Sequence, residues 1–226
     1  SVDYRPENAY RNGTMYSSYT AASFAQLYKM ARKYNINLVG AVSWSFEFEN
    51  QRWFGSFRDL STNGVDKPVM DVFRMFGKMK GHMLEVNNPD GISLQTIVDS
   101  SVRNQPYVDA LATIDADTMY VMLWNYHDDE NRKTEAWIKL NLQNLSGKQA
   151  IVTSYLVDEN HNNAYTVWQK MGSPQNPSKQ QIQDLQNIGR SSMLYVPRQT
   201  FGTTNGNLNY HFKLEGKGVA LLKVSW

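Results

Sequence analysis

The chain of 226 residues contains no cysteine. That absence removes disulfide frameworks, thiol nucleophiles, Cys-x-x-Cys redox chemistry and zinc knuckles at once, and it fits any compartment. No apolar run reaches the roughly 18 residues of a membrane span, and the first eleven residues lack the basic start and apolar centre of a signal peptide. A soluble protein without a membrane partner is expected, either cytoplasmic or secreted/periplasmic. The chain opens on serine, not methionine, and the natural start is expected upstream. An excess of one charge is also lacking. The 23 Lys and Arg against 21 Asp and Glu leave +2, without the basic footprint of a nucleic-acid binder. P-loop, GxGxxG, GxSxG, HxH and HExxH patterns are absent, and His82, His127, His161 and His211 are scattered. No metal or cofactor is therefore expected. His127-Asp128-Asp129 reads as a solvated turn behind a strand.

Aromatic residues are plentiful: 6 Trp, 13 Tyr and 9 Phe. Most belong to a core, since aromatics carry much of a core's buried area, but flat rings also suit sugars. Along the first third, residues 20–34 place Phe24, Leu27, Tyr28, Ala31 and Tyr34 at helical spacing behind a Ser/Thr-rich entry. Residues 36–46 form a mostly apolar run that reads as a strand buried on both faces. Pro68 opens a second helix over 68–79, with Gly81 as its stop. Helix, buried strand, loop, helix is the rhythm of a parallel α/β unit. Past Gly81 come short, partly alternating segments at 92–97, 107–114, 118–124, 136–142, 150–157, 192–196, 207–214 and 218–224. These predict an antiparallel β-sandwich, interrupted by two short helices at 162–171 and 177–188. The fold class is thus α/β plus all-β, divided into residues 1–81 and 82–226.

The densest chemistry is Ser43-Trp44-Ser45-Phe46-Glu47-Phe48-Glu49-Asn50-Gln51-Arg52-Trp53-Phe54. It stands at the C-terminal end of the predicted strand, where α/β folds place ligands. A carboxylate beside an indole suits a sugar: the C–H face lies on the ring and the hydroxyls donate to the carboxylate. A plain pair of salt bridges from Glu47 and Glu49 to Arg52 or Arg58 fits the residue types equally well. As a catalytic pair the two glutamates fail. Their i, i+2 spacing puts them about 6.6 Å apart by strand rise, but on one wall, whereas a glycosidase needs carboxylates on different sides of the bond. In a regular strand Trp44 points away from both. A shared ligand therefore requires a bend, a bulge or an unusual peptide bond near Trp44.

Several blocks together carry a resemblance. Residues 10–22 (Tyr10-Arg11-Asn12-Gly13-Thr14 to Ala22), the run from Gly40 to Glu49, Phe57-Arg58-Asp59-Leu60 and Asp66-Lys67-Pro68-Val69 resemble glycoside hydrolase family 39, the β-xylosidase family. So do Leu123-Trp124-Asn125-Tyr126-His127-Asp128-Asp129, residues 157–165 and Met171-Gly172-Ser173-Pro174. The resemblance implies a (β/α)8 barrel with an accessory β-sandwich, and retaining hydrolysis by two barrel glutamates. In that alignment residues 36–46 are the eighth strand and 68–79 the last barrel helix, so residues 1–81 are the C-terminal part of the catalytic barrel and 82–226 the sandwich. No Asn-Glu pair occurs for the acid/base role, so the resemblance implies no catalytic residue within this chain. It maps the family's eighth-strand tryptophan to Trp44 and its sugar-contacting loop carboxylate to Glu49, with Glu47 and Asn50 as alternatives.

The implied function is part of a retaining hydrolase acting on β-xylosides. Its expected partners are xylose or xylo-oligosaccharides, the missing N-terminal barrel segment and, through unpaired apolar flanks, a second copy in a homo-oligomer. The chain alone is expected to be inactive. Two other readings stand beside this one. The first is a non-catalytic carbohydrate-binding or interaction module using sandwich aromatics such as Trp124 or Trp168. The second is an iduronidase-like enzyme in which Arg52 or Arg58 would meet a uronic acid.

Overall fold

The computed structural model describes residues 10–42, 51–55, 60–190 and 193–226. Its centre is a six-stranded antiparallel sheet. The strands are β3 (His82–Met83), β4 (Tyr107–Asp115), β5 (Thr118–Tyr126), β7 (Gln149–Val157), β8 (Leu194–Gly202) and β10 (Val219–Ser225), in the order β3-β4-β5-β10-β7-β8. A two-stranded ribbon, β6 (Glu135–Leu142) paired with β9 (Leu208–Glu215), covers one face. Helices α1 (Thr14–Lys33) and α2 (Pro68–Lys78) cover the other.

β5 shows why the layers form. Met119, Val121 and Leu123 point into the core beneath the ribbon, whereas Tyr120, Met122 and Trp124 point into the core beneath the helices. β10 divides in the same way, with Ala220, Leu222 and Val224 on one side and Val219 and Leu221 on the other. Both strands carry apolar side chains on both faces because both faces are covered. The β6 ribbon strand buries only alternate positions, as a strand with one solvated face should. The expected sandwich is therefore present, with a narrow second sheet. The helices before residue 81 share a core with its broad sheet.

α1 begins at Thr14, six residues before the expected start. The Ser/Thr-rich entry lies inside the helix, and the Ser18 hydroxyl donates back to the Thr14 carbonyl at 3.0 Å. The buried face also differs from the expected one. Ala21, Ala22 and Ala25 are small enough to let the helix lie close on the sheet. The bulkier stripe remains partly open, and Tyr19, Leu27, Tyr28 and Tyr34 are exposed.

The strand expected over 36–46 is not formed in its described part, residues 36–42. Val39 and Val42 are 91% and 97% exposed. A strand of this apolar kind needs neighbours on both edges, and none lies beside it among the described residues. Residues 92–97, expected as a short, partly alternating strand, instead lead into helix α3 (Leu94–Ser100). There the Ser93 hydroxyl accepts from the Thr96 amide at 3.0 Å and caps the first turn. β8 runs on through Pro197, where the sequence predicted an end. It is an edge strand with register shifts against β7, and an edge tolerates a residue without an N–H.

The helical insertion comprises α4 (Ala164–Lys170) and α5 (Lys179–Gly189). α5 starts at a reciprocal capping box: the Gln181 amide donates to the Ser178 hydroxyl at 3.2 Å, and the Ser178 amide donates to Gln181 Oε1 at 2.8 Å. His127 is buried rather than solvated, because its Nδ1 accepts the Asp129 amide at 2.9 Å and closes the turn. No helix among the described residues is long and apolar enough to cross a membrane.

Candidate functional site

Trp44, Glu47, Glu49, Asn50 and Arg58 lie outside the described residues, as does the expected irregularity near Trp44. The described chain resumes at Gln51, immediately after the sugar-binding candidates, and residues 51–55 are held unusually well for a segment without secondary structure. The Gln51 carbonyl accepts from Asn63 Nδ2 at 3.2 Å. The Trp53 amide donates to Gln175 Oε1 at 2.9 Å. The Phe54 amide donates to the Thr62 hydroxyl at 3.0 Å, and its carbonyl accepts from Asn12 Nδ2 at 2.9 Å. Side chains from three separate parts of the chain thus supply the partners that a neighbouring strand would otherwise provide. Phe54 has a φ of +51°, a left-handed conformation that a bulky residue keeps only when its surroundings impose it.

Packing adds to this. Trp53 and Phe54 share a core with Val65, Ala164, Tyr165, Trp168 and Leu185. The Phe54 ring centroid lies 4.9 Å from that of Trp168 and 5.2 Å from that of Tyr165. The insertion between β7 and β8 therefore buttresses the loop that follows Glu49. Sequence reading identified α4 and α5 but not this role. Asn12, Thr62, Asn63 and Gln175 are ordinary polar residues far apart in the chain, and no sequence signal marks them as a set.

Beneath the loop, a short hairpin of β1 (Ser61–Thr62) and β2 (Val65–Asp66) leads to Lys67 and Pro68 at the start of α2. Arg74 of α2 joins three partners: Asp66, Asp71 at 2.7 Å and the Gly189 carbonyl at 3.0 Å. A Cβ on Gly189 would stand 2.9 Å from the Asp66 carbonyl oxygen, so glycine lets the end of α5 dock on β2. Asp71 is 1% exposed, and burial pushes its pKa up to about 6 against the pull of Arg74.

The pH dependence follows from the direction of that shift. Between the ordinary value of 3.8 and about 6 the folded protein keeps a proton that the unfolded chain has lost. The stabilisation from this group is complete below 3.8 and disappears as pH rises through about 6. Across that window it amounts to up to about 3 kcal/mol. Denaturant unfolding at pH 4.5 and 7.5 should show a steeper loss for the unmodified protein than for Asp71→Asn. Equal losses would refute the assignment.

Among the described residues no group of three or more His, Cys, Asp or Glu is placed to hold a metal ion. Trp124 and Trp168 are 0% and 1% exposed, so neither offers a sugar a flat surface. Their burial corrects the expectation that a binding module would use these rings. The exposed sandwich tryptophan is Trp137 on the outer face of β6, at 72%.

Comparison with known proteins places the chain. A family model described as glycosyl hydrolases family 39 matches residues 1–205. A β-xylosidase of Caldicellulosiruptor saccharolyticus is 24% identical over 159 residues, which is 68% of this chain and 28% of that protein. A monomeric β-xylosidase from Caulobacter crescentus CB15 shares the fold with a TM-score of 0.72 at 16% identity, covering all of this chain and 44% of that one. A bacterial orthologue of human α-L-iduronidase gives a TM-score of 0.74 at 13% identity, covering 96% of this chain and 39% of that one. The chain spans less than half the length of each of these relatives.

Proposed function

The chain belongs to glycosyl hydrolase family 39, and on that footing we propose that it is the part of a retaining β-xyloside hydrolase that supplies one wall of the sugar site and the accessory sandwich. The β-xylosidase relative, matched over two thirds of the chain, carries this reading. In the retaining mechanism one glutamate attacks the anomeric carbon while another protonates the leaving oxygen, and the second then activates water. Both glutamates belong to the remainder of the barrel. This chain's task is grip: the Trp44 indole lies under the C–H face of the non-reducing sugar and Glu49 accepts from its hydroxyls, with Glu47 or Asn50 beside it. The open apolar stripe of α1 and the exposed Val39 and Val42 suit packing against the rest of the barrel, which makes that segment the chain's natural partner.

The purified chain is expected to leave nitrophenyl β-xyloside intact. It should bind xylobiose in calorimetric titration, with affinity lost in Trp44→Ala and Glu49→Ala. Turnover that Glu49→Gln abolishes would show that a catalytic group lies within this chain and would overturn the proposal. A uronic acid substrate is the second reading, favoured by the iduronidase-like fold neighbour. It requires a cation at the sugar carboxylate, and Arg52, exposed at the head of the anchored segment, is suited to that role. Tighter binding of an iduronide than of a xyloside, lost in Arg52→Ala, would decide for it.

A further inference from the structure

The β6–β9 ribbon turns Ile138, Leu142, Leu208 and Leu214 toward the broad sheet, so the residues between them face outward. At one end of that outer face Lys213 joins Glu135 Oε2 at 2.6 Å and Glu215 Oε1 at 3.0 Å. At the other end Gln143 Nε2 donates to Asn141 Oδ1 at 2.7 Å, and Asn141 Nδ2 donates to Asn209 Oδ1 at 2.8 Å. Between the two ends stand Trp137, which is 72% exposed, and the cross-strand pair of Lys139 and His211. By strand rise the indole lies about 6.6 Å from the level of Glu135 and about 13 Å from that of Asn141. A flat ring is thus set in a row with fixed carboxylates before it and linked amides behind it.

We propose that this outer face is a second carbohydrate site, on which a neutral polysaccharide chain lies along the ribbon with one sugar stacked on Trp137. A single exposed aromatic is ordinary, and it is the setting of this one that selects the ligand. The two carboxylates are matched by two lysines, so the face lacks the basic surplus that a nucleic acid or an acidic polymer needs. One ring among charged and amide groups also lacks the apolar, desolvated centre of a protein interface. A neutral sugar chain meets both conditions. Its C–H face covers the indole, and its hydroxyls donate to the carboxylates and both donate to and accept from the amides. The site stands on the sandwich and uses none of the residues assigned to the barrel wall; only the choice of a xylan fragment as a probe rests on the reading under Proposed function.

Calorimetric titration of the Trp44→Ala variant with xylohexaose and with cellohexaose isolates this site from the barrel wall. At least one of the two should bind, and adding Trp137→Ala should weaken it about thirtyfold, the loss expected for a central aromatic anchor. Trp137→Tyr keeps a flat ring and should retain most of the affinity. Raising the salt concentration should change it little, since the face carries balanced charge. The bound hexaose should also shield an indole from acrylamide quenching, a protection that disappears in Trp137→Ala. Trp137 is exposed, so thermal unfolding of its variants should match that of the protein that carries it. Failure of both hexaoses to bind Trp44→Ala, or equal affinity with and without Trp137, would overturn the proposal and leave the barrel-wall reading standing. A dimer in sedimentation that Trp137→Ala dissociates would assign the ring to a second copy of the chain and overturn it as well. Binding that survives Trp44→Ala and is lost with Trp137 supports the ribbon site whatever becomes of the barrel wall.

Discussion

Trp168→Ala is expected to lower the stability of the protein by about 3–5 kcal/mol, the usual cost of truncating a fully buried tryptophan, and to release residues 51–55 in the same step. Three losses coincide at this side chain. The indole fills the space between Phe54, at 4.9 Å between centroids, and Tyr165, stacked at 5.8 Å with planes 23° apart. Its removal leaves a cavity that rings on two sides cannot close. The Pro174 carbonyl loses the indole N–H it accepts at 2.9 Å, and with it goes the constraint on the loop that carries Gln175. Phe54 then lacks the packing that holds its left-handed backbone. Trp168→Phe refills most of the volume but not the N–H, so it should cost only about 1–2 kcal/mol and leave the loop more mobile than in the unmodified protein. Denaturant unfolding gives the first quantity, and hydrogen exchange at residues 51–55 gives the second. A variant that loses stability globally, with no additional exchange at 51–55, would show that the insertion merely fills space and does not hold the loop.

The parts of this arrangement differ in how far the sequence reveals them. β5 and β10 were legible as short, partly alternating segments at 118–124 and 218–224, and their apolar residues fall on both faces because both faces are covered. α2 was legible from Pro68 and the one-sided row of Val69, Val72 and Phe76. Two local misreadings had local causes. The hydroxyl residues ahead of Thr20 resembled a cap, yet Ser18 satisfies itself on its own helix. At 92–97 a short, partly alternating segment was expected as a strand, whereas Ser93 caps a helix that begins at Leu94. Residues 36–42, the described part of the strand expected over 36–46, form no strand for a different reason: a run of apolar residues states what a segment will bury, not whether neighbours are at hand to bury it. The family resemblance was carried by motif blocks and agrees with the family match over residues 1–205. The site's support was not legible at all. Trp53 and Gln175 meet across 122 residues, and an amide that binds a backbone leaves no periodic or compositional trace. Burial of Trp124 and Trp168 was likewise beyond composition, which counts aromatic rings without saying which face water.

Asp109→Ala is expected to cost about 3 kcal/mol, toward the lower end of what breaking a buried ion pair costs, and to loosen α1 from the sheet. The carboxylate is the hub of the junction between the helix and β4. Lys29 of α1 donates to Oδ2 at 2.5 Å, and the Tyr107 hydroxyl donates to the same oxygen at 3.2 Å. Asn88 Nδ2 and the Ala110 amide donate to Oδ1 at 3.3 and 2.8 Å. Gln26 of α1 in turn donates to the Tyr107 hydroxyl. Burial and the adjacent carboxylate hold that hydroxyl's pKa far above its ordinary value, so it remains a donor at any pH the fold survives. Without Asp109 the buried Tyr107 hydroxyl loses its acceptor and Lys29 loses its counter-charge. The Lys29 side chain is 24% exposed, so its ammonium group recovers part of the loss from water, which keeps the estimate low in the range. Replacing both charged partners, as Lys29→Met with Asp109→Leu, should cost less than Asp109→Ala alone, because neither charge is then left without a partner. Lys29→Met keeps an apolar stem against the Trp124 face that the ammonium now approaches to 5.5 Å. The same cycle tests a structural link to residues 51–55. Asn12, one residue ahead of the Gly13 cap of α1, holds the Phe54 carbonyl, so a helix loosened at Lys29 and Gln26 loosens that anchor as well. Hydrogen exchange at Phe54 and Gly55 should therefore rise in Asp109→Ala and return toward the unmodified rate in the double variant. Exchange there that ignores Asp109 would mean that α1 and the loop are anchored independently.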